Sequence, residues 1–208
     1  MAAFLKQLGI QFRGDLRDKD ILMVYYLVPL VFYLVMGGVM NLPGLDAGKT
    51  MILSLTIFAV SMSAFLGLPQ TLVKARENGV LDAYRVAGIP VWSVPLAGII
   101  ISFLHIMIVA LIILANAPLL FQAHRPLNPG AHLLAVVLIT LCSEALGVLL
   151  GALVKKQSTL PLAGQLLFMP TVMLSGIMFP ATLLPKALQI GAKLLPATQG
   201  MALLAQGK

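Results

Sequence analysis

Five runs of apolar residues dominate this chain: Ile21–Met40, Met51–Leu68, Val91–Leu114, Leu133–Val154 and Leu160–Phe179. Between them they hold one formally charged residue, Glu144. At about 1.5 Å per helical residue, each is long enough to cross roughly 30 Å of hydrocarbon, and the second is able to run on to Val73. Hydrocarbon offers no partner to a free backbone N–H or C=O, so such segments close their own hydrogen bonds as helices. The fold that follows is an all-α integral membrane protein, a polytopic helical bundle of five spans forming a single domain over residues 1–208.

Charge supports this class and excludes others. Only 10% of the 208 residues are charged, too few to cover the surface of a soluble domain. The net charge of +7 would suggest nucleic acid in a soluble protein. Here the basic residues stand in loops, where they set topology and meet anionic headgroups, so the bilayer is the expected partner and nucleic acid is not. Cys142 is the only cysteine, which rules out a disulfide within the chain.

Ahead of the first span, Phe4, Leu8, Phe12 and Leu16 recur every four residues with Leu5 beside them, while Lys6, Arg13 and Arg17 lie off that stripe. Residues 1–20 therefore read as a helix lying in the membrane interface. With the N-terminus in the cytoplasm, nine basic residues fall on that side: Lys6, Arg13, Arg17, Lys19, Lys74, Arg76, Arg85, Lys155 and Lys156. Five fall on the other: Lys49, Arg125, Lys186, Lys193 and Lys208. This positive-inside bias gives a multi-pass protein of the cell (inner) membrane with a cytoplasmic N-terminus.

The densest charged stretch, Lys74–Pro90, lies between the second and third spans on the cytoplasmic side. Val80, Leu81, Tyr84, Ala87 and Gly88 recur at three- and four-residue spacing and mark one stripe of a short helix. Asp82 in its first turn and Arg85 towards its last suit the macrodipole, Gly88 supplies a stop and Pro90 prevents continuation. Such a helix either rests on lipid headgroups or docks a separate cytoplasmic protein. At the other end of the chain, residues 180–208 read as an outer helical segment. Pro185 opens a helix there, Leu184, Leu188, Ala192 and Leu195 form its apolar side, and Pro196 ends it.

Other patterns carry less chemistry. Gly44–Thr50 looks like a nucleotide-binding loop but is one residue short of the required spacing and follows a membrane span; a tight loop with Thr50 capping the next helix accounts for it. Glu144 is costly within a span and must face protein or water, with His105 on the third span as a partner at similar depth. Gly147 and Gly151 permit a close helix approach. Pro161, Pro170 and Pro180, with Gln165, Thr171 and Ser175, make the fifth span either a bent, cavity-lining helix or an ordinary kinked one. His124 and His132 have no ligand-like spacing, so no metal site is expected, and no nucleophile–base constellation is present.

The interfacial N-terminal helix, the segment Arg76–Pro90 and the run Leu174–Pro180 followed by Leu184-Pro185 and Leu195–Thr198 together resemble the membrane subunit of type-2 ABC exporters. The central segment, RENGVLDAYRVAGIP, is similar to that family's "R-E-x-G-x-L … G-x-P" pattern at the coupling helix. The resemblance implies a permease, not an enzyme, working as a dimer of two permease copies above ATP-binding-cassette subunits. ATP and magnesium are held by the partner, and this chain carries no cofactor. It implies that Leu81 and Tyr84 anchor the joint with the ATPase, while Arg76, Glu77, Asp82 and Arg85 set its register, with Gly88 also in the contact. It further implies an apolar or amphipathic cargo passing Phe58, Met62, Phe65, Phe168, Thr171, Met173 and Ser175, with Ile177 and Met178 as an outer constriction. The family carries a sixth span, and this sequence reads as stopping short of it. A rival reading is an ATP-independent transporter or channel that uses Glu144 and His105 as a proton or ion site.

Overall fold

In the computed structural model, residues 2–42, 50–126, 128–178 and 184–206 are described, and every regular element among them is helical. The helices are α1 (Ala2–Asp15), α2 (Lys19–Met40), α3 (Met51–Glu77), α4 (Val80–Val86), α5 (Ser93–Phe121), α6 (Pro129–Leu153), α7 (Leu160–Leu174), α8 (Lys186–Ala192) and α9 (Pro196–Gln206). Four of them, α2, α3, α5 and α6, are long and apolar enough to span a bilayer. The expected fifth span is helical over only 15 residues, α7, which reaches about 22 Å. It stops at Leu174 because the chain turns at Gly176, where φ is +81°; the expected end at Phe179 lies outside the described residues. The nucleotide-loop look-alike also lies outside them, apart from Thr50 at the N-cap position of α3.

The core is built around α3. Of its most apolar 18-residue window, 94% is buried inside the protein, so it presents almost no face to lipid. Ile57, Phe58, Val60, Phe65 and Ala64 on α3 meet Tyr25 of α2, Ile106 of α5, Ile139 of α6 and Phe168 of α7 in one cluster. α3 also runs on to Glu77 without a break at Pro69, which the sequence leaves as a natural end. The reason is local. Residues Ser63–Gly67 form a π-helical turn, and this wider turn accommodates the proline ring and its missing N–H. The same device recurs in α2, where Met23–Leu27 is a π-turn just ahead of Pro29.

Close contacts fix the π-turn of α3. A Cβ added at Gly147 of α6 would stand 2.1 Å from the carbonyl oxygen of Ala64, and one at Gly164 of α7 would stand 2.8 Å from that of Phe65. Only glycine permits these backbones to approach so closely. α6 opens at Asn128, whose side chain accepts from the Ala131 N–H at 3.1 Å, with Pro129 in the first turn.

The segment after α7 departs from expectation. Pro185 does open a helix, α8, but Pro196 opens another rather than ending one. α9 is no surface helix: Ala197 is buried in the main core cluster, and Gly200 faces Ile139 and Ile57. Thr198 donates to Ser175 Oγ at 3.1 Å and so ties α9 to the end of α7. At the N-terminus, Phe4, Leu8 and Phe12 share a half-buried face of α1, whereas Leu5 and Leu16 of the expected stripe are exposed and the buried Asp15 continues that face.

Gly147→Ala should lower the unfolding free energy by about 1–3 kcal/mol or more, because its methyl meets backbone that cannot turn aside. Gly38→Ala, where a Cβ meets nothing within 4 Å, should leave stability almost unchanged. Thermal unfolding of the detergent-solubilised protein, followed by size-exclusion profile, compares the two directly.

Candidate functional site

The charged stretch between the second and third spans folds as the end of α3, a glycine turn and the short helix α4. Gly79 takes a left-handed conformation (φ +71°) and stands at the N-cap of α4; Gly88 takes another (φ +67°) after its end. The Ile89 N–H donates to Tyr84 C=O at 2.9 Å and the Gly88 N–H to Arg85 C=O at 3.2 Å, the paired bonds of a Schellman termination. Gly88 is therefore a backbone requirement of the stop, with no side chain to offer a partner.

The apolar stripe of α4 points into the protein. Leu81 and Tyr84 are half-buried against Leu68 and Leu72 of α3 and Val94 of α5. There they hold α4 to its own bundle, each keeping part of its surface exposed. The outward face carries Asp82, Ala83, Arg85 and Val86, with Val86 92% exposed. Arg85 Nη1 and Asp82 Oδ1 pair at 2.9 Å across one turn of this exposed face.

Arg76, half-buried, and Glu77, exposed, bond to neighbouring segments of the same chain. The C-terminus of α6 leaves carbonyls without helical partners. Arg76 meets two of them, donating from Nη1 to Val154 C=O at 2.9 Å and from Nη2 to Gly151 C=O at 3.2 Å. Glu77 Oε1 accepts from the Gln157 N–H at 3.0 Å, at the start of a 3-10 turn over Gln157–Thr159. Lys74, two residues before Arg76, pairs with Asp18 at the N-cap of α2. Three successive polar side chains at the end of α3 thus fasten three neighbouring segments. The expected contact set Arg76, Glu77, Leu81, Asp82, Tyr84, Arg85 and Gly88 therefore divides: Arg76, Leu81 and Tyr84 are partly buried against the bundle, Gly88 has no side chain, and Glu77, Asp82 and Arg85 are exposed, Glu77 while bonded to Gln157.

The intramembrane polar residues are brought near one another but not paired. His105 of α5 is fully buried, with its Nδ1 2.6 Å from the Tyr26 hydroxyl. Phe12 of α1 stacks on the imidazole at a centroid distance of 4.8 Å, and Asp15 Oδ2 lies 3.8 Å from Nε2. Glu144 of α6 is also fully buried, close to Ser102 one turn before His105, yet neither carboxylate oxygen has an aligned hydrogen bond. Sequence reasoning missed Phe12, Asp15 and Tyr26 around His105. The available signal was an acidic residue, Asp15, continuing the apolar stripe of α1.

Of the residues expected along a cargo path, Phe58, Met62, Phe65, Phe168, Thr171 and Ser175 are enclosed where α3 meets α7, with Phe58 and Phe168 edge to face at 5.5 Å. The Thr171 hydroxyl donates to Leu167 C=O on its own helix at 2.7 Å. Met173 alone of the group is exposed. Ile177 is buried in the main core cluster and Met178 packs against it.

The family model "ABC-2 type transporter" matches residues 8–207. A curated relative, the linearmycin resistance permease protein LnrN of Bacillus subtilis (strain 168), is 29% identical over 142 residues. That alignment covers 68% of this chain and 36% of the relative, so the chain spans about a third of the relative's length. No solved structure matches.

Two measurements test how the end of α3 is fastened. Arg76→Ala should cost about 1.5–3 kcal/mol of stability, as expected for a charge-assisted hydrogen bond lost at a helix end, and Arg76→Lys should recover only part because one ammonium cannot reproduce the two-pronged contact. The hydrogen bond from Lys74 holds the Asp18 carboxyl below its usual range. A depressed folded-state pKa contributes stability that is present above the unfolded value near 3.9 and is lost as pH falls through the folded value. Asp18→Asn should remove that acid-side component from a thermal stability profile measured from pH 7 down to pH 3.

Proposed function

Because the chain belongs to the ABC-2 type transporter family, we propose that it is the membrane-spanning subunit of a pump driven by ATP hydrolysis on a separate cassette protein. The observation that carries this reading is the two-sided build of α4. Its inner side is bonded and packed to the bundle, while its outer side, Asp82, Ala83, Arg85 and Val86, is solvent-exposed beside two glycine turns. A partner gripping that outer face would move α4 and α3 together, because Lys74, Arg76, Glu77, Leu81 and Tyr84 join them to the spans.

On this reading ATP and magnesium belong to the partner, and two copies of this chain stand side by side. The excess of basic residues supports a cytoplasmic α4 in a protein of the cell membrane. Cargo moves outward where α3 and α7 now close on one another, past Phe58, Met62, Phe65, Phe168, Thr171, Met173 and Ser175. Ile177 and Met178 shut the far end. The closed packing corresponds to a resting state, and pulling on α3 separates its π-turn from Gly164. Phenylalanine and methionine suit an apolar or amphipathic cargo. The name of the relative, a resistance permease, supports outward transport of a harmful compound.

The proton-site alternative is the weaker reading, since His105 is engaged with Tyr26 and Phe12 and makes no bond to Glu144. Affinity purification of the tagged chain from its native membrane should recover an ATP-binding-cassette protein. Val86→Asp should weaken that association at least about tenfold, the effect of losing a well-placed interface residue. Recovery of no cassette protein, together with transport that survives ATP depletion and is lost in Glu144→Gln, would overturn the proposal.

A further inference from the structure

A cavity of about 1060 Å³ opens between α1, the end of α3, α4 and the start of α5. It lies apart from the contact between α3 and α7, and none of the cargo-path residues lines it. Its size suits a drug-sized molecule or a lipid tail with its headgroup. Leu72 and Val94 give it apolar wall, and Tyr84 and Trp92 place aromatic rings beside it, with Trp92 exposed at the opening.

Four charged side chains line this space, and they are not equivalent. Lys74 and Asp18 neutralise one another in an ion pair, and Lys6 stands at an exposed position of α1. Asp15 is different. It is only 7% exposed, and its carboxylate receives no hydrogen bond among the described residues. The nearest group that could carry positive charge is His105 Nε2, 3.8 Å away and beyond hydrogen-bonding distance. A carboxylate withdrawn from water without a cation is unfavourable, and aromatic faces nearby attract positive charge.

We propose that this cavity binds an amphipathic ammonium: an amine whose charge meets Asp15 and whose apolar body lies along Leu72 and Val94 beneath Trp92. Such a ligand also touches Tyr84, the inner anchor of α4, so its presence is felt at the helix a cassette partner would grip. Binding itself requires no partner, and its test is independent of the pump reading.

Trp92 is the only tryptophan in the chain, so energy transfer from the chain's tryptophan starts at this opening, and saturation separates bound probe from probe in lipid. With the full chain in phosphatidylcholine nanodiscs, dansylcadaverine, a primary amine, should give saturable transfer, whereas the anionic dansylglycine should give only unsaturable partitioning. Asp15→Asn should weaken dansylcadaverine binding about tenfold or more. Gly14→Leu adds bulk at a lining position where a Cβ meets nothing within 4 Å, and it should weaken binding with the carboxylate intact. Replacing part of the lipid with phosphatidylethanolamine separates two sources of the ammonium. Competition identifies a lipid headgroup as occupant, and its absence a free amphiphile. Equal saturation by both dansyl compounds, or unchanged binding in a folded Asp15→Asn protein, would overturn the proposal. Should Asp15→Asn fail to fold, unchanged binding in Gly14→Leu would overturn it instead.

Discussion

The second span is closed in on every side, and the rest of the architecture follows from that enclosure. A helix that lies wholly among other helices cannot pass its strain to fluid lipid; each irregularity must be met by a neighbour. Its Pro69 is met by a π-turn, and the widened turn is met by glycines on two different helices. Dispersion between helices at such short range is the attraction that remains inside a bilayer, where no water drives apolar faces together. The buried rod is continuous from Met51 to Glu77, so it links the centre of the bundle to its basic end without a break.

That basic end shows how polar groups acquire structural roles in a chain with so few of them. Arg76 is placed where α6 leaves carbonyls open, and each supplies what the other lacks. The exposed pair Asp82–Arg85 has little energetic weight, since surface ion pairs contribute about 0–1 kcal/mol. The contrast separates residues that hold the short helix in place from residues available to something outside. It also explains why a motif can look like a single contact surface in sequence and divide into two opposed faces in space.

Much of the fold was legible because the bilayer restricts what an apolar run can do. Four spans follow from length and hydropathy, and the short helix from the spacing of Leu81 and Tyr84 bounded by glycines. The fifth run, Leu160–Phe179, carries no charge, but its helix ends at Leu174, where the left-handed Gly176 turns the chain. Direction was harder than existence. Periodicity showed that Leu81 and Tyr84 share a face, but not whether that face meets the same chain or another one. The surroundings of His105 were invisible because they assemble Phe12, Asp15, Tyr25 and Tyr26, residues distant in sequence whose approach depends on how α1 docks. Proline followed the same rule: Pro196 obeys its preference for a first helical turn, yet nothing local distinguishes that from a stop.

The glycines at either side of the short helix have one more consequence. Each resets the backbone direction within a single residue, so the aim of the short helix is set at its two ends and by its inner packing, and its outer side chains carry none of that load. Their outward side chains can therefore drift without disturbing the membrane bundle. A bundle built this way can change what its exposed helix face meets by a few surface exchanges, while the packing inside the bilayer stays as it was.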